Sequence, residues 1–153
     1  MLTQKAKYAL KAMIYLAGRE TVRPVLIAEV AREERLPKKF LERILLDLKT
    51  HGLLTSRKGR GGGYMLARPP NKIGLGEIIR LMDGPLAPVQ CVSKMAYQKC
   101  ADCRDEKLCC VRPIMKEVRD SISYVLDGTT LADAVFRAGG ITRRSFDSFA
   151  YAI

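Results

Sequence analysis

The stretch PKKFLERILLDLKTHGLLTSRKGRGGGYMLA, residues 37–67, determines the fold class. Pro37 suits the first position of a helix that runs to about Thr50, because proline has a fixed φ and no N–H to satisfy. His51-Gly52 ends this helix, and residues 53–57 and 64–67 predict two strands joined by a glycine-rich turn. Helical spacing gathers the apolar side chains on one face: Leu41, Ile44, Leu45 and Leu48. The stretch therefore predicts a helix followed by a β-hairpin.

Two further helices precede this stretch. Residues 3–17 carry apolar side chains at helical spacing and are followed by Gly18, and residues 26–31 predict a short second helix after Pro24. The turn at residues 33–36 then leads into the third helix. Three helices, a tight turn and a hairpin predict a mainly α winged helix-turn-helix. Residues 73–82, a strand end and a helix, would close this DNA-binding domain at residues 1–83.

The remaining chain divides into a loop, a long helix and an end segment. Residues 84–112 show no period and hold all five cysteines, which predicts a cysteine-rich sensor loop. Residues 113–126 predict a helix with an apolar stripe of Ile114, Met115, Val118, Ile122, Val125 and Leu126. Its polar side would carry Lys116, Glu117, Arg119 and Asp120. The stripe predicts a homodimer partner, with packing against the chain's own domain as the alternative.

The segment after the long helix begins with a capping signal. Asp127-Gly128 ends the long helix, and Thr130-x-x-Asp133 resembles a capping box for a short helix over Leu131, Val135 and Phe136. Together with the long helix this makes a unit at residues 113–138. The tail at residues 139–153 either docks on a subunit or is disordered.

Charge is distributed unevenly along the chain. Residues 1–68 carry 15 Lys and Arg against 6 Asp and Glu, whereas residues 69–153 carry 12 against 10. A local positive excess favours a polyanion through counterion release, so nucleic acid is the expected partner. A solvated basic face without a partner is the alternative. Neither a signal peptide nor an apolar run of about eighteen residues is present, which predicts a cytoplasmic protein that does not enter the membrane.

Candidate DNA contacts lie on three elements. The outer face of the third helix carries Lys39, Glu42 and Arg43, which can hydrogen-bond to base edges or phosphates in the major groove. The wing offers cations on a thin glycine backbone suited to phosphate or minor-groove contact. The full predicted set for double-stranded operator DNA is Thr3, Lys5, Tyr8, Lys38, Lys39, Glu42, Arg43, Arg57, Lys58 and Arg60. A nucleotide-binding glycine loop is disfavoured, because no Gly-Lys-Ser/Thr and no helix follows.

The five cysteines lie within one window, at 91, 100, 103, 109 and 110. In a reducing cytosol such grouping indicates metal ligation or redox chemistry more than a disulfide framework. The spacing Cys91-x8-Cys100-x2-Cys103-x5-Cys109 supplies four soft thiolates to one inorganic centre. An iron-sulfur cluster is the first interpretation, with structural zinc, a thiol-disulfide switch and, last, inert cysteines as alternatives.

Several stretches resemble a known regulator family. They are LTQKAKYAL (residues 2–10), FLERIL (40–45), GLLTSRKGRGGGYMLA (52–67) and MDGPL (82–86). Their combination is similar to the winged-helix family of the iron-sulfur cluster regulator, the nitric-oxide-sensitive repressor, the rhizobial iron regulator and the cysteine-metabolism repressor. The resemblance covers nearly residues 1–127. It implies a dimeric DNA-binding transcription regulator, often a repressor, whose long helix after the cysteines forms the dimer.

The resemblance also ranks the cysteines. The family has three cysteine ligands with about five residues between the last two, which implies Cys91, Cys103 and Cys109 as ligands. The sequence departs from the pattern in its longer first gap, and Arg112 stands where the cluster regulator has a histidine ligand. Cys100 is then the candidate fourth ligand, with Cys110 a buried or spare thiol.

Two other classes of protein account for the sequence less well than a regulator does. An iron-sulfur or zinc enzyme is disfavoured because no acid/base pair or nucleophile constellation is present, and the single histidine, His51, lies far from the cysteines. An electron-transfer or metal-carrier protein would leave the basic half and the wing unexplained. The sequence therefore predicts a regulator without enzymatic activity.

Overall fold

The computed structural model describes residues 2–19 and 23–139. The helices and strands are α1 (Gln4–Ala17), α2 (Ile27–Glu33), α3 (Lys38–Thr50), β1 (Leu54–Arg57), β2 (Gly63–Leu66), α4 (Leu75–Asp83) and α5 (Val111–Asp127). Residues 131–139 are also helical and are called α6. Short 3-10 turns lie at Pro70–Lys72, Gln90–Val92 and Glu106–Leu108. No described helix is both long and apolar enough to cross a bilayer.

Helix α3 forms because its apolar side chains recur at helical spacing. Leu41, Ile44, Leu45 and Leu48 are all fully buried, as the sequence predicts. They pack with Met13 of α1 and Val30 of α2 in one core. Pro37 is the N-cap residue and not the first helical residue, so the predicted start is one residue early. The core thus fixes which face of α3 points outward.

The hairpin is attached directly to α3. The Leu53 N–H donates to the Leu48 carbonyl at 2.9 Å, and both Leu53 and Leu54 are buried. Strands β1 and β2 pair antiparallel with Leu54 opposite Leu66 and Arg57 opposite Gly63. Backbone hydrogen bonds in both directions between Val25 and Tyr64 add a bridge to the β2 side. The wing is therefore held to the helical core on both strands.

The chain returns to the N-terminal core after α5. Leu75 N–H donates to the Thr129 carbonyl and Leu131 N–H donates to the Ile73 carbonyl, both at 2.9 Å. Leu131 is fully buried in the same core as α1 and α3. The predicted capping box is confirmed, because Thr130 N–H donates to the Asp133 carboxylate and Asp133 N–H donates to the Thr130 hydroxyl. The tail beyond Gly139 lies outside the described residues.

Four local predictions differ from the structure. Ile73 begins no strand, and only an isolated bridge joins Gly74 to Thr130. Helix α5 begins at Val111, so Pro113 lies in its first turn. Phe136 is 84% exposed and does not pack under α6. Arg119, expected on the solvent side of α5, is the buried residue of that helix, because its guanidinium donates to the Val92 carbonyl of the cysteine segment.

Candidate functional site

The outward face of α3 is a charged surface without internal ion pairs. Lys39, Glu42 and Arg43 are exposed, and so is Lys38 at the start of the helix. The ion pairs among the described residues include none of these four side chains. Lys39 and Glu42 thus do not neutralise each other, although they lie one turn apart. This face can offer both donors and a carboxylate acceptor to a groove of duplex DNA.

The wing presents three more exposed cations, Arg57, Lys58 and Arg60. No described carboxylate forms an ion pair with them. Because β1 follows α3 after only a short turn, these cations are held at a fixed distance from the outward face of α3. The arrangement suits simultaneous contact with a groove and a flanking phosphate backbone.

The wing glycines have separate structural roles. Gly59 and Gly61 adopt positive φ angles of 88° and 73° with open space around them, which is the turn conformation glycine favours. Gly63 has φ 145°, and a Cβ there would collide with the Val25 backbone. One glycine of the GGG run therefore permits the bridge to residue 25, a role that the sequence pattern did not reveal.

The three candidates on α1 are in different environments. Thr3 is the N-cap of α1, and its backbone N–H donates to the Asp83 carboxylate at 2.8 Å, while its hydroxyl also bonds that carboxylate. Lys5 pairs with Asp47 of α3 at 2.8 Å. Tyr8 packs edge-to-face on Phe40 with 5.8 Å between ring centroids. The structure thus gives Thr3, Lys5 and Tyr8 contacts that join α1 to α3 and α4.

Four cysteines line one open pocket of about 550 Å³. Its walls include Cys91, Cys100, Cys103 and Cys109, whereas Cys110 is exposed and outside the lining. Hydrogen bonding with Cys91 first, and burial second, raise the pKa of Cys100. Burial first and the Cys109 thiol second raise the pKa of Cys103. The segment therefore gathers the four thiols and stabilises the protonated forms of Cys100 and Cys103.

The pocket provides suitable donor atoms without finished ligand geometry. Within residues 2–19 and 23–139, no group of three or more His, Cys, Asp or Glu side chains is arranged so that it could hold a metal ion. Thiolate sulfur is nevertheless the donor that iron-sulfur clusters and zinc prefer. The four cysteines thus fit such a centre by the chemistry of their donor atoms. Their sulfur atoms would have to move closer to one another to bind it.

The cysteine segment is fastened to α5 by Arg119. One guanidinium nitrogen donates to the Val92 carbonyl at 2.5 Å, next to buried Cys91. The others donate to Asp120, and the pKa of this carboxyl is lowered mainly by that hydrogen bond. Sequence reasoning missed this contact, because an arginine in the polar half of a helical wheel carries no signal of burial.

A second arginine fastens α5 to α4. Arg80 of α4 forms a bidentate pair with Asp127 at the end of α5, with distances of 2.6 and 2.8 Å. This hydrogen-bonded pair lowers the pKa of Asp127 and raises that of Arg80. Contacts therefore run from Cys91 through Val92 and α5 to α4.

Known proteins match this chain over most of its length. An Rrf2-like HTH-type transcriptional regulator of Rhodobacter capsulatus is 45% identical over 136 residues, covering 87% of this chain and 91% of the relative. The solved structure of CymR (YrzC), the global cysteine regulator of Bacillus subtilis, has a TM-score of 0.74 and 31% identity, covering 90% of this chain and 97% of that one. IscR of T. potens has a TM-score of 0.70 and 30% identity, covering 90% and 88%.

These relatives confirm the mainly α winged helix-turn-helix and the predicted class of protein, a transcription regulator and not an enzyme. The family model for Rrf2, described as an iron-dependent transcriptional regulator, matches residues 2–137. The match spans α1 to α6 and includes both the wing and the cysteine segment. The chain belongs to the Rrf2 family of transcriptional regulators.

Proposed function

We propose that this regulator recognises a specific operator in duplex DNA through the outward face of α3 and the wing. The observation that carries the proposal is the set of exposed, unpaired charges on these two rigidly connected elements. Glu42 and Arg43 discriminate bases, while Lys38, Lys39, Arg57, Lys58 and Arg60 bind mainly phosphates. Thr3, Lys5 and Tyr8 position α1 against the DNA-binding elements and add backbone contacts.

The active form in this proposal is a homodimer built on α5. The apolar stripe is open to solvent along the helix, with Ile114 58% and Val125 56% exposed. An apolar helical face of this length is stabilised by a partner, and a second copy presents the same face by two-fold symmetry. Residues 1–83 would then be the DNA-binding domain, residues 84–112 the sensor loop, and residues 113–138 the dimer unit. Operator half-sites would lie about one helical turn or a multiple apart.

Cys91, Cys103 and Cys109 are the proposed metal ligands, with Cys100 as the fourth. Their location in one pocket and the family's description as iron-dependent support an iron-sulfur cluster. Such a cluster supplies a centre whose loading, loss or oxidation reports iron, oxygen or nitric-oxide status. The residues of this chain hold the four sulfurs in a loop that touches both α5 and the end of α4.

The loop acts on DNA binding through the two arginine contacts. A change near Cys91 moves the Val92 carbonyl, which Arg119 binds, and so displaces α5. Because Arg80 fastens the C-terminal end of α5 to α4, a displacement at the middle of α5 alters the spacing of the two recognition helices. Only one spacing fits both half-sites, so a small change in the loop changes operator affinity.

The test begins with protein purified without oxygen, on which iron, acid-labile sulfide and zinc are quantified. Operator sequences are selected from a random duplex library, and affinity is measured with loaded and metal-free protein. Matching iron and sulfide, and affinities that differ between the two forms, support the proposal. Replacing Cys91, Cys103 and Cys109 by Ala should abolish the difference, whereas the control Cys110→Ala should keep it. Unchanged affinity under every redox condition would contradict it.

A variant and a matched control test the proposed DNA-binding surface. Arg43→Ala should weaken operator binding about tenfold to a hundredfold, since a bidentate base contact contributes about 1–3 kcal/mol. Lys116→Ala removes an exposed cation from α5 and should have little effect. Equal losses in both variants would show that only overall charge matters.

Zinc and a thiol-disulfide switch are the second candidates for the cysteine pocket. The presence of Cys91 and Cys100 in the wall of one pocket favours the switch, because neighbouring thiols can form a disulfide when an oxidant is supplied. A colourless protein with stoichiometric zinc would support structural zinc. Loss of two free thiols with peroxide, together with a change in DNA affinity, would support the switch.

A further inference from the structure

Arg112 lies in the wall of the cysteine pocket with an unused hydrogen-bond donor. It is the second residue of α5 and lines the pocket together with the four cysteines. Its Nε is buried, and no described residue accepts a hydrogen bond from it. A buried donor is normally satisfied, because leaving it without an acceptor costs its lost hydration. This nitrogen therefore indicates that an acceptor belongs in the pocket.

The carboxylates that line the pocket do not supply that acceptor. Glu106 accepts a hydrogen bond from the Tyr97 hydroxyl at 2.5 Å, and Asp105 accepts one from the Lys107 N–H at 2.9 Å. In the described part of the chain, the ion pairs include no contact of Arg112 with Asp or Glu. Arg112 thus has no ion-pair partner among the described residues, and it lines the same pocket as four thiols.

We propose that Arg112 donates its Nε–H to the anionic centre that the four cysteines bind. This inference rests on the proposed function only in that the cysteines hold a metal. A zinc ion with four thiolates keeps a net charge of about −2, and a cubane cluster with four thiolates is similarly anionic. A charge-assisted hydrogen bond to sulfur then satisfies Nε and offsets the charge in a pocket that already contains three carboxylates.

The proposal changes the role of a position that departs from the family pattern. The family resemblance implies a histidine ligand at this position in the cluster regulator, whereas the guanidinium of Arg112 stays protonated and is a donor. Four cysteines can therefore provide the ligands, with Cys100 supplying the sulfur that replaces the histidine. Arg112 would set how firmly the centre is held and how easily it is reduced, without being a ligand.

The experiment compares wild type with Arg112→Gln, Arg112→Lys and the control Arg104→Gln. Arg104 lines the same pocket but is exposed. Anaerobic protein is mixed with excess ferrous chelator, and iron release is followed by the loss of cluster absorbance. Arg112→Gln should release iron about tenfold faster, the size expected for a lost charge-assisted hydrogen bond, with Arg112→Lys intermediate. Its reduction potential should also be more negative, while Arg104→Gln stays near wild type.

A structural role predicts a different pattern. Because Nε has no partner in the metal-free protein, Arg112→Gln should not lower the thermal stability of that form. Faster release together with unchanged metal-free stability supports the proposal. Equal release rates and potentials in all four proteins, or a loss of metal-free stability that accounts for the faster release, overturn it.

A wild type without iron and sulfide would contradict the cluster but not this inference. The same proteins are then compared for zinc affinity by competition with a chromophoric chelator. About tenfold weaker zinc binding in Arg112→Gln alone supports the role of Arg112. Equal zinc affinities, or no binding of either metal by wild type, overturn it.

Discussion

Helices α3 and α5 are both amphipathic, yet only α3 has its apolar face covered by its own chain. Four leucine and isoleucine side chains of α3 are fully buried, whereas the buried residue of α5 is Arg119. Four of the six stripe side chains of α5 remain exposed, namely Ile114, Val118, Ile122 and Val125, and the other two are half-buried. An amphipathic pattern thus predicts a helix, but only the tertiary contacts show whether its apolar face is covered by its own chain or is left exposed for a partner.

The largest effect expected from this comparison is on stability. Leu45→Ala should lower the free energy of unfolding by about 2–5 kcal/mol, because it leaves a cavity in a closed core. Ile114→Ala should cost less than about 1 kcal/mol, since the side chain is exposed. Urea unfolding is measured on metal-free protein diluted until the midpoint no longer depends on concentration. Equal losses would mean that α5 packs on its own domain.

Dimerisation should depend on the exposed stripe of α5. Ile122→Glu places a charge in the middle of the α5 stripe and should raise the dimer dissociation constant at least about tenfold. Tyr124→Glu is the control, because Tyr124 is 84% exposed on the other side of the helix. Sedimentation velocity over a concentration series measures both. A similar effect in the two variants would exclude the stripe as the interface.

Arg119 offers a smaller and more specific test. Arg119→Met should lower the free energy of unfolding by about 1–3 kcal/mol, because the Val92 carbonyl loses its donor. It should also make operator affinity equal in the loaded and metal-free forms. Lys116→Met, on the exposed side of the same helix, should change neither quantity. If Arg119→Met preserves the affinity difference, the contact with Val92 does not carry the signal.

The smallest expected effect is a dependence on pH at the far end of α5. Asp127 has a lowered pKa in the folded protein because Arg80 hydrogen-bonds to its carboxylate. The pair therefore stabilises the fold at neutral pH, and this contribution is lost as pH falls through and below the usual range for Asp, near 4. The Asp127 side chain is 48% exposed, so the contribution is below about 1 kcal/mol. Asp127→Asn should make the free energy of unfolding fall less steeply as the pH is lowered through the acid range. An unchanged pH dependence would show that other carboxylates cause the loss of stability in acid.

The sequence predicted the elements of the DNA-binding domain better than the contacts between distant segments. Helical spacing identified the buried face of α3, and the capping box before α6 follows from two residues close in sequence. Burial of Arg119 and the contact of Gly63 with Val25 depend on residues 27 and 38 positions away. Such pairs leave no local pattern, because each partner alone has an ordinary surface or turn composition.

The cysteine pocket shows the same limit. Spacing identified four thiols as a group, and the structure brings those four into one pocket and leaves Cys110 outside. The spacing of the cysteines could not show that Arg112 lines the same pocket, or that its Nε lacks a hydrogen-bond partner there. Composition predicts which donor atoms are available, whereas the electrostatic surroundings of those atoms come only from tertiary packing.

The return of the chain to the N-terminal core after α5 restricts how a signal can travel. The middle of α5 is held by the Arg119 contact with Val92. Its C-terminal end is held by the pairing of Arg80 with Asp127 and by the hydrogen bond from the Leu131 N–H to the Ile73 carbonyl just beyond the helix. A helix held at its middle and at its C-terminal end does not rotate as a rigid body about one hinge. It bends or rotates about its axis, with displacements of about an ångström. In a sensor built this way, the two states would differ mainly in the rotation of α5 about its axis, and the overall shape of the protein would change little.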